Sequence, residues 1–226
     1  MANSYGITVA LDSYTLGKLQ AGNYSLQVFK GAKGNQSTAL PTLWFSVTEF
    51  SATVSLKWTE QYGAFVDNQT IANGVVVDIS SSKAMNLGDL MTLLSDGDTN
   101  VTTTGGRDGA ITVFSQQSNE WICGMTQSMN GSAPTPICAF PLFGSQADLM
   151  EPYETVVLMF ASGQVATGTV VEEAISSSVT ITLSGAAPSV AVAFDMNLGW
   201  NTSGNPYAVV NPLPINLAET LIVPIS

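Results

Sequence analysis

Apolar and polar residues alternate along much of this chain. In Tyr24 to Lys30 (YSLQVFK) and Thr53 to Trp58 (TVSLKW) apolar side chains recur at every second position. That is the two-residue period of a strand with one buried face. In the second stretch it places Val54, Leu56 and Trp58 together. Ile7 to Leu11, Leu43 to Val47, residues 74–79, Ala110 to Ser115, Trp121 to Met125 and Ala139 to Phe143 are rich in β-branched and aromatic residues and predict further strands. Ile7 to Leu11 is expected to end in polar turn residues. Tyr153 to Ala161 (YETVVLMFA) is apolar through most of its length and predicts a strand packed on both faces. Val165 to Glu172, Ser178 to Ser184 and Val190 to Phe194 continue the pattern. Pro206, Pro212, Pro214 and Pro224 punctuate the tail, and Leu221 to Val223 predicts a final edge strand, because proline cannot donate to a sheet ladder. Only Leu87, Leu90, Met91 and Leu94 fall at helical spacing, which predicts a short helical turn over 87–94.

Strands at this spacing, joined by Gly- and Asn-rich turns, predict an all-β fold, an antiparallel β-sandwich. Three landmarks occur twice in the same order. Ile7-Thr8-Val9 returns as Ile111-Thr112-Val113, Pro41 to Phe45 (PTLWF) has a looser echo in Pro136 to Phe140 (PICAF), and Met85-Asn86-Leu87-Gly88 returns as Met196-Asn197-Leu198-Gly199. The expectation is two diverged tandem copies of one β-rich unit, 1–105 and 106–226, related by a pseudo-twofold and either separate or fused into one domain.

Composition narrows the function. Charged residues make up 10 % of the 226 positions, against about 25 % in ordinary soluble proteins. The surface is therefore mostly hydroxyl and amide, a surface suited to a neutral glycan or to a protein partner. With few charges to guard strand edges, a homo-oligomer is a further expectation. Net charge is −11 with six Lys and Arg in all, which excludes nucleic acid, since that binding rests on cations neutralising phosphates. The N-terminal residues lack the basic and apolar regions of a signal peptide, and no run approaches the roughly 18 apolar residues of a membrane helix, so a cytoplasmic protein is expected. Six Asn-x-Ser/Thr sequons, starting at Asn23, Asn35, Asn68, Asn100, Asn130 and Asn201, read as chance matches in a chain of this composition.

No histidine is present. The usual general base, the Ser-His-Asp and Cys-His devices and the commonest transition-metal ligand are all missing. Glu60, Glu172 and Glu173 are the candidates for a carboxylate-only hydrolase, but adjacent Glu172 and Glu173 would point to opposite faces of a strand. The expectation is no enzyme, no cofactor and no metal. Asp96, Asp98, Asn100 and Asp108 resemble part of a calcium loop, yet Val101 and Arg107 stand where an EF-hand needs Gly and Glu, and the stretch reads as a turn. Cys123 and Cys138, both in expected strands, are expected to be free, buried thiols, with a disulfide between them as the alternative.

The candidate binding site is the loop from Gly199 to Tyr207. Trp200 offers a ring for a sugar's apolar face, Asn201 and Asn205 offer amides for its hydroxyls, and Tyr207 adds an amphipathic edge. The same stretch also reads as a core or boundary Trp followed by a turn, since Trp is usually largely buried. Trp44, Trp58 and Trp121 sit within apolar alternation and are assigned to the core. The leading expectation is thus a non-catalytic, lectin-like protein recognising neutral carbohydrate. The alternatives are a pore-forming or insecticidal-type β toxin, which would open residues 165–184 as an amphipathic hairpin and engage a membrane, and a self-associating structural or storage protein.

Overall fold

The computed structural model describes residues 2–36, 38–211 and 214–225. Strands dominate, and helix among these residues is confined to Ser13–Ala21 and Leu217–Leu221. The fold is all-β and sandwich-like. Its spine is the 16-residue strand Ala147–Ser162. Tyr24–Gly34 runs antiparallel along one edge of the spine; the other edge is shared by Ile111–Ser115 near its start and Ser178–Thr182 further on. These strands belong to a nine-stranded sheet. A four-stranded sheet has the order Gly199–Asn201, Ser189–Asp195, Ser4–Leu11, Thr53–Thr59, and a six-stranded sheet is centred on Trp121–Gln127 and Tyr62–Asp67.

The main core forms where the three sheets face one another. Ile7 and Val9 come from the four-stranded sheet, Leu26, Val28 and Leu158 from the nine-stranded, Val66 and Met125 from the six-stranded. The far side of the spine carries a smaller cluster of Phe29, Leu43, Val157 and Met159, closed by Leu217 and Leu221 from the short C-terminal helix. The spine is therefore buried on both faces, as the apolar run Tyr153 to Ala161 implies. The alternation in Thr53–Thr59 is also realised, with Val54, Leu56 and Trp58 inward.

Several expectations need correction. The sandwich is not purely antiparallel: Ser4–Leu11 with Ser189–Asp195, Leu90–Leu93 with Ile111–Ser115, and Tyr24–Gly34 with Ile222–Pro224 pair in parallel. Parallel partners need long crossovers, and only the folded topology shows which distant strands meet. A helix, Ser13–Ala21, occupies the stretch expected to be turn. Asp12 caps it, accepting a 2.8 Å hydrogen bond from the Thr15 N–H, and Leu19 is buried. The helical turn expected over 87–94 is instead a turn followed by the strand Leu90–Leu93. The Asp89 carboxylate accepts the Asn86 N–H at 2.7 Å, and Gly88 takes φ 97°, a left-handed value open to glycine. Residues 74–79 and 165–172 form isolated bridges, Val76 with Thr169 and Thr42 with Val170, rather than full strands. The C-terminal edge strand is Ile222–Pro224, while Pro212 lies outside the described residues.

The repeated landmarks have partly matching surroundings. Ile7 and Ile111 each lie in a strand with one parallel and one antiparallel neighbour. Pro41 and Pro136 each end a two-residue strand that precedes a longer one. Met85–Gly88 passes between two sheets, whereas Met196–Gly199 turns between adjacent strands of one. Strands from both sides of the 105/106 boundary share the nine- and six-stranded sheets.

Close approach of strands is tested at Gly124, where an added Cβ would lie 2.1 Å from the Cys138 carbonyl oxygen and 2.4 Å from the Phe65 ring. Because one of these neighbours is backbone, Gly124→Ala is expected to cost at least about 3 kcal/mol, the top of the usual overpacking range. A lowered denaturation midpoint by circular dichroism checks it; an unchanged midpoint would contradict the packing at this crossing.

Candidate functional site

Lys30, Gln127 and Glu154 come from three different strands and meet inside the main core. In Tyr24–Gly34 the alternation that turns Leu26 and Val28 inward also turns Lys30 inward, and the side chain is fully buried. Gln127 follows Cys123 and Met125 on the inward row of Trp121–Gln127, and is buried too. Glu154 sits at an irregularity in the spine: Tyr153 faces Gly31 and Val156 faces Lys30, so Glu154 and Thr155 have no opposite number on that strand. Bulges of this kind re-aim a side chain.

The Lys30 ammonium donates to Gln127 Oε1 at 2.7 Å and to Glu154 Oε1 at 2.8 Å. It also lies 5.4 Å, 5.5 Å and 5.7 Å from the ring centroids of Trp44, Trp58 and Tyr62, within cation–π range. Glu154 accepts in addition from Trp58 Nε1 at 2.8 Å and from the Tyr62 hydroxyl at 3.1 Å. Gln127 donates its Nε2 to the Thr59 carbonyl at 2.6 Å, which fixes Oε1 as the atom facing the ammonium. Burial pushes the Lys30 ammonium below its ordinary pKa, and the Glu154 carboxylate opposes that shift. Burial and then Glu154 raise the Tyr62 phenol.

Above this cluster lies an open groove made of two hollows that meet at Gln61 and Ser128. One, of about 530 Å³, is walled by Glu60, Tyr62, Ser82, Lys83, Asn86 and Thr126. The other, of about 710 Å³, is walled by Tyr5, Lys57, Trp58, Asn130 and Ser132. Glu60 is tied down at its rim, accepting from the Asn3 side chain at 3.0 Å, the Asn3 backbone N–H at 3.1 Å and the Tyr5 hydroxyl at 2.9 Å. Burial acts to raise the Glu60 carboxyl, but these donors outweigh it and hold the group below its ordinary value. Burial, followed by the bond to Glu60, raises the Tyr5 phenol to about 12. Asn130 closes the outer edge of Thr53–Thr59: its side chain accepts the Lys57 N–H at 2.8 Å and donates to the Ser55 carbonyl at 2.9 Å.

The loop selected from the sequence is arranged differently. Trp200 belongs to the core, where its ring stacks on Phe160 at 5.5 Å, lies against Phe194 at 5.1 Å, and donates Nε1 to the Ser177 carbonyl. A ring held this way presents no face to a ligand. Asn201 accepts the Ser203 N–H and Asn205 the Tyr207 N–H, so both amide oxygens shape the turn, and Tyr207 is exposed. The loop lines neither hollow of the groove. Trp44 and Trp58 are buried as expected, and Trp121 packs partly buried against the core.

Cys123 and Cys138 are free, buried thiols, and burial is the main cause raising both. Asp148 is buried beside Cys123; burial raises its carboxyl, partly offset by Gln36 and the Cys123 thiol. Among the described residues no three His, Cys, Asp or Glu groups are placed to hold a metal ion, and Asp96 is used in a turn, accepting the Asp98 N–H. No helix among them is long and apolar enough to cross a membrane.

Two predictions test these assignments. Trp200→Ala is expected to cost about 3–5 kcal/mol in chemical denaturation, the range for a buried aromatic; a surface Trp would cost little. For Asp148, a folded pKa raised above the unfolded one means that the native state binds more protons between the two values. Stability therefore falls as pH rises through that window. Asp148→Asn is expected to raise the melting temperature at neutral pH, with the gain shrinking as pH is lowered toward the unfolded carboxyl pKa. A gain that is constant with pH would contradict the assignment.

No protein-family model, curated protein or solved structure matches this chain.

Proposed function

We propose that this chain is a non-catalytic binding protein for a neutral, hydroxyl-rich ligand of the carbohydrate class, held in the groove that crosses Gln61 and Ser128. The observation that carries the reading is the groove's lining. Gln61, Ser82, Asn86, Thr126, Ser128 and Ser132 bring amides and hydroxyls to it, beside apolar Met85, Leu87 and Pro134. Each hollow falls within the roughly 300–1,000 Å³ typical of small-ligand sites. The reading transfers the lectin-like expectation from the Trp200 to Tyr207 loop to a place where polar groups face open space. The reading is non-catalytic because Glu60, the carboxylate in the groove's lining, is already engaged by Asn3 and Tyr5. Free thiols fit a reducing compartment, and a cytoplasmic location is part of the proposal. So is descent from a duplicated unit, on the strength of the paired surroundings of Ile7 and Ile111.

One specific observation favours a second reading, self-association. Among the described residues Ala208–Asn211 ends the nine-stranded sheet and pairs on one side only, with Val209 60 % and Val210 43 % exposed. An apolar edge without charge invites pairing with another chain. The toxin alternative gains no such support, since Ser178–Thr182 is held between Ala147–Ser162 and Ala208–Asn211 and residues 165–184 form no hairpin.

A glycan array followed by calorimetry tests the primary reading. Gln61→Ala combined with Ser128→Ala is expected to weaken binding at least about tenfold, equivalent to about 1.4 kcal/mol, with Tyr207→Ala unaffected. A blank array, or binding lost only in Tyr207→Ala, overturns the groove assignment. Sedimentation of the wild type against Val209→Lys separates the second reading.

A further inference from the structure

Of the features the ligand reading leaves unused, the buried Lys30, Gln127 and Glu154 carry the most chemistry, and they do not depend on that reading. A primary amine, a primary carboxamide and a carboxylate meet in a site closed by Trp44, Trp58 and Tyr62. Lys30 Nζ is 2.7 Å from Gln127 Oε1, which places the carboxamide carbon one bond beyond the contact, and 2.8 Å from Glu154 Oε1. Both reacting side chains are buried, Lys30 completely and Gln127 at 1 % exposure. We propose that Lys30 and Gln127 are the two ends of an intramolecular amide cross-link, formed spontaneously in the folded protein with Glu154 as the proton carrier.

The step balances without an outside reagent. Glu154 takes a proton from the Lys30 ammonium across their hydrogen bond, leaving a free amine and a neutral acid. The amine's lone pair attacks Gln127 Cδ, forming the new C–N bond and a tetrahedral centre. The second proton lost by Nζ and the proton held by Glu154 go to the departing nitrogen, Nε2, as its bond to Cδ breaks. The products are a secondary amide between Lys30 and Gln127, one ammonium ion and the Glu154 carboxylate restored. No oxidation occurs.

Each surrounding contact has a part in this. Positioning two reactants in one orientation turns a bimolecular reaction into a unimolecular one. The Thr59 carbonyl, accepting from Nε2 at 2.6 Å, holds the leaving nitrogen away from the amine. The three rings keep out bulk water, and their low-dielectric surroundings favour the neutral amine and acid over the ion pair; burial acts on Lys30 in that direction. Thr126 and Ser128, the neighbours of Gln127, line the groove, giving ammonia a short way out. After the step the new amide N–H can donate to Glu154, which still accepts from Trp58 and Tyr62. The link would join Tyr24–Gly34 of the nine-stranded sheet to Trp121–Gln127 of the six-stranded sheet, across 97 positions of sequence.

Intact-mass spectrometry of the purified full chain tests the proposal directly. The wild type is expected to be lighter than its sequence by one ammonia molecule. Proteolysis should yield one branched peptide joining the Lys30 and Gln127 segments, with trypsin unable to cut after Lys30. Lys30→Met and Glu154→Ala should each have the full sequence mass, and Lys30→Met should stay folded by circular dichroism while melting at a lower temperature than the linked wild type. A wild type with the full sequence mass overturns the proposal. So does an ammonia loss that maps to Asn73-Gly74 or Asn130-Gly131, where ring closure of the asparagine releases the same mass.

Discussion

A single ammonium group sets the terms for this fold. Lys30 lies at the meeting point of three sheets, where a bare charge would be costly by several kcal/mol. It is tolerated because Glu154, Gln127 and three aromatic rings surround it. Satisfying Lys30 in turn fixes the register of the spine. A one-residue slip of Ala147–Ser162 against Tyr24–Gly34 would turn Glu154 to the other face and leave the ammonium unpaired. The irregularity at Glu154 and Thr155 is thus a working part of the sheet. The polar atoms of Trp58 and Tyr62 end on the same carboxylate, so the packing of the rings and the pairing of the charge are one arrangement. Among the described residues no buried side-chain nitrogen or oxygen lacks a partner.

The groove is built outward from that cluster. Tyr62 and Trp58 pass from the ion pair to its walls, and Thr126 and Ser128, which flank Gln127 in sequence, line it while Gln127 itself faces the buried cluster. Ser82 and Thr126 are carried by strands, while Gln61, Asn86, Ser128 and Ser132 lie in the turns and the loop between them. The same economy of charge that makes the surface neutral leaves Ala208–Asn211 with an unguarded apolar edge.

Much of the strand pattern was legible because burial of one sheet face imposes a two-residue period. Thr53–Thr59 follows it closely, whereas Tyr24–Gly34, expected to bury one face, is buried on both, with Leu26 and Val28 in the main core and Phe29 in the second cluster. The same period already placed Lys30 in phase with Leu26 and Val28, and Gln127 in phase with Cys123 and Met125. A cation and an amide on apolar rows were the signal of a buried polar site. Trp200 was open to both a core and a binding reading because a tryptophan beside asparagines and glycines has the same local sequence whether its ring faces solvent or Phe160. The helix Ser13–Ala21 was signalled by the cap at Asp12, but Gly17 and a weakly apolar face obscured it. Residues 87–94 show the converse, helical spacing overridden by parallel pairing with Ile111–Ser115.

The sequence by itself determined which faces are apolar, where most strands run, how little charge the surface carries and which chemistries lack their residues. Those are local properties, set by side-chain type and by a backbone period that needs no partner. Only the tertiary structure decided which strands pair in parallel, that Trp200 is core, and that Lys30, Gln127 and Glu154 share one site. The last depends on contacts between residues 97 and 124 positions apart, and no local pattern records which other row a given row will face.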